Sequence, residues 1–136
     1  MTNRSKVFAQ PLIAVSDVIA SSRWYGALLS ADPPTDSDHK HLYNRVCVDG
    51  QVLLQLHSWD DEDHPNLQRE PTRAGHGVLI WFQVDDFDTC VERIRALGAT
   101  VIDEVHVNPN AMHREIWLRD PDGYVVVIAS ADGEAS

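Results

Sequence analysis

The chain has 136 residues, 43% of them hydrophobic and 24% charged, which fits one globular domain with a buried core. No apolar run approaches the roughly 18 residues of a membrane helix, and no apolar segment follows the basic start Met1-Thr2-Asn3-Arg4-Ser5-Lys6. A cytoplasmic protein without signal peptide or membrane span is expected, and its net charge of −10 would repel nucleic acid.

In chain order, the segment Phe8 to Val15 reads as a short apolar strand, and Asp17 as the cap of a helix. Val18, Ser22, Tyr25, Leu28 and Leu29 form the helix's inward stripe. Strands follow from Leu42 to Val48 and from Val52 to His57. The Asp49-Gly50 turn between them is a hairpin signal. The acidic run Asp60-Asp61-Glu62-Asp63 begins a polar stretch holding Pro65 and Pro71, which reads as a linker. A second strand-and-helix unit starts at Gly77. Its helix carries Phe87, Cys90, Val91, Ile94 and Leu97 inward, is capped by Asp86 or Asp88, and stops at Gly98. Strands are expected from Thr100 to Ile102, with an extension through Val107, then from Arg114 to Leu118 and from Tyr124 to Ala129. Pro121 and Gly123 suit a type I turn between the last two. Asp132 to Ser136 reads as a loose tail. Cys47 and Cys90, 43 residues apart, read as reduced thiols, one of them on a helix core face.

Sliding the chain by 69 residues lays Val15 on Val84, Asp17 on Asp86 and Ala27-Leu28 on Ala96-Leu97. The identities are few, but both copies keep the same order of elements. The boundaries are module one at 6–58, linker at 59–76, module two at 77–130 and tail at 131–136. Each module's sheet has one face for its helix and one bare face. Two modules side by side enclose a shared cleft with those bare faces.

Several residues carry a family resemblance: Val15-Ser16-Asp17, Ser22-x-Trp24-Tyr25, Leu28-Leu29, Val84-Asp85-Asp86, Ala96-Leu97-Gly98-Ala99 and Asp120-Pro121-Asp122-Gly123-Tyr124. Over roughly residues 7 to 130 the chain resembles the vicinal oxygen chelate superfamily of glyoxalases, bleomycin-resistance proteins and extradiol dioxygenases. The resemblance implies an α+β fold: two βαβββ modules forming one domain, with a curved mixed sheet around the cleft. It also implies a homodimer. Metal-using members place one ligand in each of four cleft-facing strands. Carried over one by one, those positions fall on Gln10, Gln55, Leu79 and Val127. Two neutral amides and two aliphatic chains make a poor donor set, so no metal and no other cofactor is expected at these positions. A local shift bringing in His76 is the alternative route to a divalent metal.

Strand alternation adds cleft-facing candidates. With Gln10, Gln55, Leu79 and Val127 it groups Leu12, His57, Trp81, Glu115 and Trp117, together with Tyr43 and Arg45. That set suits a flat or partly apolar organic ligand, and it is equally what aromatic packing between sheets would leave. His57, His113 and Glu115 have two readings. One is a relocated metal site, or an acid/base pair in which Glu115 or His57 is catalytic. The other is a solvated strand edge, or an ion pair of Glu115 with an arginine. His39, His41 and His64 read as surface residues.

The expected function is therefore binding of a small, partly apolar or aromatic molecule in the cleft, without the four-ligand metal site. The alternative is a lyase, isomerase or dioxygenase-type enzyme with a relocated metal or a metal-free acid/base pair. No phosphate-binding loop, dinucleotide fingerprint, zinc-protease helix or serine-hydrolase elbow is present in the sequence.

Overall fold

The structure is a computed structural model, and it describes residues 8–33, 42–60, 67, 69 and 78–136. Module one contains β1 (Leu12–Val15), α1 (Val18–Leu29), β2 (Tyr43–Val48) and β3 (Gln51–Ser58). Module two contains β4 (Ile80–Gln83), α2 (Phe87–Leu97), β5 (Thr100–Asn108), β6 (His113–Arg119) and β7 (Val125–Ala129). Module one forms a three-stranded sheet in the order β1-β3-β2, and module two a four-stranded sheet in the order β4-β7-β6-β5. In each, the strand before the helix pairs in parallel with the last strand, and the remaining pairs are antiparallel. Residues 34–41, between α1 and β2, lie outside the described residues, as does most of the expected linker. Among the described residues no helix is long and apolar enough to cross a membrane.

The ladders refine the repeat. Leu12 pairs with Gln55 in one sheet, and Trp81 pairs with Val127 in the other. The first strands thus match at a shift of 69 (81 minus 12) and the last at 72 (127 minus 55). The second module has gained three residues between its helix and its final strand.

Both helices start on an aspartate. Asp17 accepts the Ala20 N–H at 3.0 Å, and Asp86, rather than Asp88, accepts the Thr89 N–H and hydroxyl. Both end in left-handed residues, Ser30 and Gly98. In α1 the buried serine is Ser21, not the expected Ser22. Ser21 faces the other module, where its hydroxyl donates to Asp122 at 3.3 Å, while Ser22 accepts from Asn44. That phase cannot be chosen from one helix's periodicity, because the partner belongs to a distant hairpin.

One apolar core runs through both modules. It joins Val15, Tyr25, Leu28, Leu54 and Leu56 to Phe87, Ile94, Ile116, Leu118 and Ile128. The helices meet where the Arg93 guanidinium donates to the Leu28 carbonyl at 3.0 Å, so a cation satisfies the C-terminal end of α1. The thiol of Cys90 lies on this core, where burial pushes its pKa up. A second joint is polar. The turn after β6 docks on the start of module one through Asp122 to the Ser16 N–H (2.8 Å), the Tyr25 hydroxyl to Asp120 (2.7 Å), and the Tyr124 hydroxyl to the Ala14 carbonyl (2.9 Å). Asp120 also accepts the N–H groups of Asp122 and Tyr124, so the turn reaches one residue further than expected and β7 begins at Val125.

The closing residues are docked rather than loose. The Gly133 and Ala135 N–H groups donate to the carbonyls of Ala111 and Met112, and Glu134 takes two bonds from Arg114. Arg114 also reaches Asp88 and lies 4.7 Å from the Phe87 ring centroid.

Candidate functional site

In β1, β3, β4, β6 and β7 alternate side chains enter the core: Ile13, Val15, Leu54, Leu56, Ile80, Ile116, Leu118, Val126 and Ile128. The residues between them fall on the face away from the helices. That face holds most of the chemistry anticipated from the sequence, in two patches.

The first patch is an apolar cleft of about 570 Å³ between the modules, lined by Leu12 and Leu53 of module one, Trp59 beyond β3, and Val78, Leu79 and Trp81 at the start of module two. Leu12, Leu79 and Trp81 are 40–46% exposed, a large solvent exposure for such side chains in the middle of a fold. Leu79 and Trp81 were expected here, and Trp59 was not. Val127, also expected here, is fully buried between Trp81 and Trp117 in the ladders and does not line the cleft.

Beside the cleft, Gln55 is held by module one itself. Its amide donates to the main-chain oxygen of Gln10 at 2.7 Å and accepts from the Tyr43 hydroxyl at 2.6 Å. Gln10 precedes β1 and is exposed. His57 pairs in the ladders with Ala14 and Tyr43, and its Nδ1 lies 2.7 Å from the Ser58 carbonyl.

The second patch is a polar cluster around Glu115, which is 4% exposed. His113 Nε2 lies 2.6 Å from one carboxylate oxygen, with Asn108 at 3.5 Å. His106 Nε2 (2.9 Å) and the Trp117 indole N–H (3.0 Å) reach the other. His113 Nδ1 faces Asp132, and its ring meets the edge of Trp81 at 5.7 Å between centroids, which links the cluster to the cleft wall. Glu115 is thus neither a solvated edge residue nor an arginine partner, the two plainer expectations. The structure unites it with His113 and leaves His57 in the other sheet. Sequence reading missed His106, Asn108 and Asp132. His106 lies within the expected extension of the strand through Val107 and Asn108 one residue beyond it; alternation along that extension reaches both, since His106 pairs with Glu115 and Asn108 with His113. Asp132 arrives only by docking of the chain's last residues.

Burial alone would raise the Glu115 pKa, but the hydrogen bonds from His113, Trp117, His106 and Asn108 outweigh it and hold the carboxyl below its ordinary value of 4.5. His106 is held above its ordinary 6.5, mainly by its bond to the Glu104 carbonyl and also by Glu115. The sign of the linkage follows for each group. The depressed Glu115 stabilises the fold above pH 4.5 and loses that contribution as pH falls through its folded value. The raised His106 stabilises below pH 6.5 and loses its contribution as pH rises through its folded value. The pair is therefore expected to contribute most between those limits. Urea midpoints measured across pH should decline on both sides more steeply in the native protein than in Glu115→Gln; parallel profiles would refute this.

At the four positions where metal-using relatives place ligands, Leu79 and Val127 offer no donor atom and Gln55 is already bonded on both amide atoms. This set does not fit a divalent cation. His76 lies outside the described residues. Among the described residues no group of three or more His, Cys, Asp or Glu side chains has the arrangement of a metal site.

The family model described as the Glyoxalase/Bleomycin resistance protein/Dioxygenase superfamily matches residues 7–128. No curated protein matches the chain. Among solved structures, a glyoxalase/bleomycin resistance protein/dioxygenase family enzyme from Burkholderia phytofirmans is similar, with a TM-score of 0.73 at 19% identity over 90% of this chain and 96% of that one. A glyoxalase-related enzyme from Fulvimarina pelagi gives 0.70 at 19% over 93% and 88%. A lactoylglutathione lyase from Agrobacterium tumefaciens gives 0.66 at 18% over 95% and 96%. At such identities these likenesses establish the fold alone.

Proposed function

Because the chain belongs to the glyoxalase/bleomycin resistance protein/dioxygenase superfamily, a scaffold that hosts many chemistries, we propose its function from the site: it binds a small, partly apolar or aromatic organic molecule in the inter-module cleft, without a metal at the four family positions. The observation that carries this reading is the cleft itself. Its volume of about 570 Å³ falls within the usual range for small-ligand sites, and Leu12, Leu79 and Trp81 leave its wall apolar and open. An indole beside aliphatic chains suits a flat ring, and the amide of Gln55, the phenol of Tyr43 and the cluster around Glu115 lie on the same face to orient polar substituents. In this reading the working unit is a cytoplasmic homodimer, a state that size-exclusion chromatography measures directly. The exposed Ile102, Val105 and Val107 of the outer strand β5 are in keeping with it.

Elemental analysis of the purified protein should find no stoichiometric Ni²⁺, Zn²⁺, Mn²⁺ or Fe²⁺, and those ions should not raise the melting temperature. A thermal-shift screen of aromatic metabolites and antibiotics should return stabilising ligands. Stoichiometric metal would sink the reading.

One observation favours a second reading, a metal-free lyase or isomerase: a buried carboxylate clamped by two imidazoles beside the cleft wall. Glu115, held in its charged form by four donors, would orient the imidazoles, and these would carry the proton. Once a substrate is found, Glu115→Gln should abolish turnover in this reading; unchanged turnover would remove the cluster from the chemistry.

A further inference from the structure

His106 has both ring nitrogens against acceptors. Nδ1 lies 2.8 Å from the Glu104 carbonyl oxygen, and Nε2 lies 2.9 Å from Glu115. A neutral imidazole offers one N–H and one lone pair, so it can satisfy only one of these neighbours. The ring makes both bonds only when it carries both protons. The surrounding charges favour that form. Asp103 lies 3.7 Å from Nδ1, and Glu115 lies across the ladder on β6. The Glu104 carboxylate is turned away to Arg95 of α2, which binds it at 2.6 and 2.9 Å. Beyond Glu115 stands His113, whose Nδ1 faces Asp132 at 3.3 Å. The chain of contacts then runs from His113 to Trp81, the cleft wall.

We propose that the cleft's affinity for its ligand is proton-linked, with His106 as the sensor and the path His106–Glu115–His113–Trp81 as the coupling element. This rests on the reading that the cleft binds an apolar molecule. When His106 loses a proton, one of its two hydrogen bonds is lost. If Nε2 is left bare, Glu115 loses a charge-assisted donor and faces a lone pair, and the carboxylate that positions His113 against Trp81 is held by three donors instead of four. If Nδ1 is left bare, the ring loses its tether to the Glu104 carbonyl. Either way the wall is less preorganised and binding weakens as pH rises. The elevated pKa of His106 agrees in direction, moving the change above the ordinary imidazole range.

The test uses the neutral dye N-phenyl-1-naphthylamine, whose charge is constant over the range, and its Kd for the full chain between about pH 6 and about pH 9. The native protein should bind about threefold to tenfold more weakly at the high end. His106→Gln should remove that dependence. His106→Arg, a permanent cation, should keep tight binding at high pH, and circular dichroism will establish that both variants are folded. Native binding that does not change with pH, or an unchanged pH dependence in both variants, overturns the proton link and leaves the cleft reading intact. No dye binding at any pH overturns both.

Discussion

Asp120→Ala is expected to destabilise the protein by about 3–5 kcal/mol, read as a lower urea midpoint. The Asp120 carboxylate is 5% exposed and serves three donors: the Tyr25 hydroxyl at 2.7 Å and the N–H groups of Asp122 and Tyr124, both at 2.9 Å. Alanine strands all three, one of them on a tyrosine with no exposed surface. The loss falls on the joint between modules, because the same turn carries Asp122 to Ser16 and Tyr124 to the Ala14 carbonyl. Asp120→Asn should be milder, below about 2 kcal/mol. It keeps an oxygen for the two backbone donors, lets Tyr25 accept instead of donate, and removes a charge whose burial pushes the Asp120 pKa up. Equal losses for Ala and Asn would show that the side-chain charge, not the hydrogen-bond set, holds the joint.

Trp81→Ala is expected to weaken ligand binding by about 30-fold or more, the loss of about 2 kcal/mol typical of a central aromatic anchor. The melting temperature should change little, because Trp81 is 44% exposed and lies on the face opposite the main core. Trp81→Phe keeps an apolar ring against His113 and should stay within about threefold of the native protein. Isothermal titration with any ligand from the thermal-shift screen distinguishes the cases. Native affinity in Trp81→Ala would place the ligand elsewhere, and a large loss of stability would return the residue to a packing role.

These two residues differ in how they were found. Asp120 was legible as a turn residue from Asp-Pro-Asp-Gly, but its partner Tyr25 was not, since 95 positions separate them. Trp81 was legible as cleft-facing from strand alternation, because a strand's period of two is a local property. The same rule placed Leu12, Gln55, Glu115 and Trp117 on the right face. It was not carried along the expected extension of β5 through Val107, which holds His106 and in which Asp103 and Glu104 sit at an exposed sheet edge. The docked end of the chain was missed for a different reason. Asp132 and Glu134 look solvated in sequence, and only the folded sheet brings His113 and Arg114 beneath them.

The sequence by itself determined the repeat, the helix caps, the hairpin turns and the lack of donors at Leu79 and Val127, because each depends on residue type at a local or periodic spacing. Tertiary structure alone decided which helix face is buried at Ser21, how the modules are joined through Asp120 and Asp122, and that His106 and His113 converge on the Glu115 carboxylate with Asp132 behind His113. Those outcomes come from pairings across up to 106 positions, and such contacts are chosen by which complete set of buried polar groups can be satisfied at once. No segment read alone carries that condition.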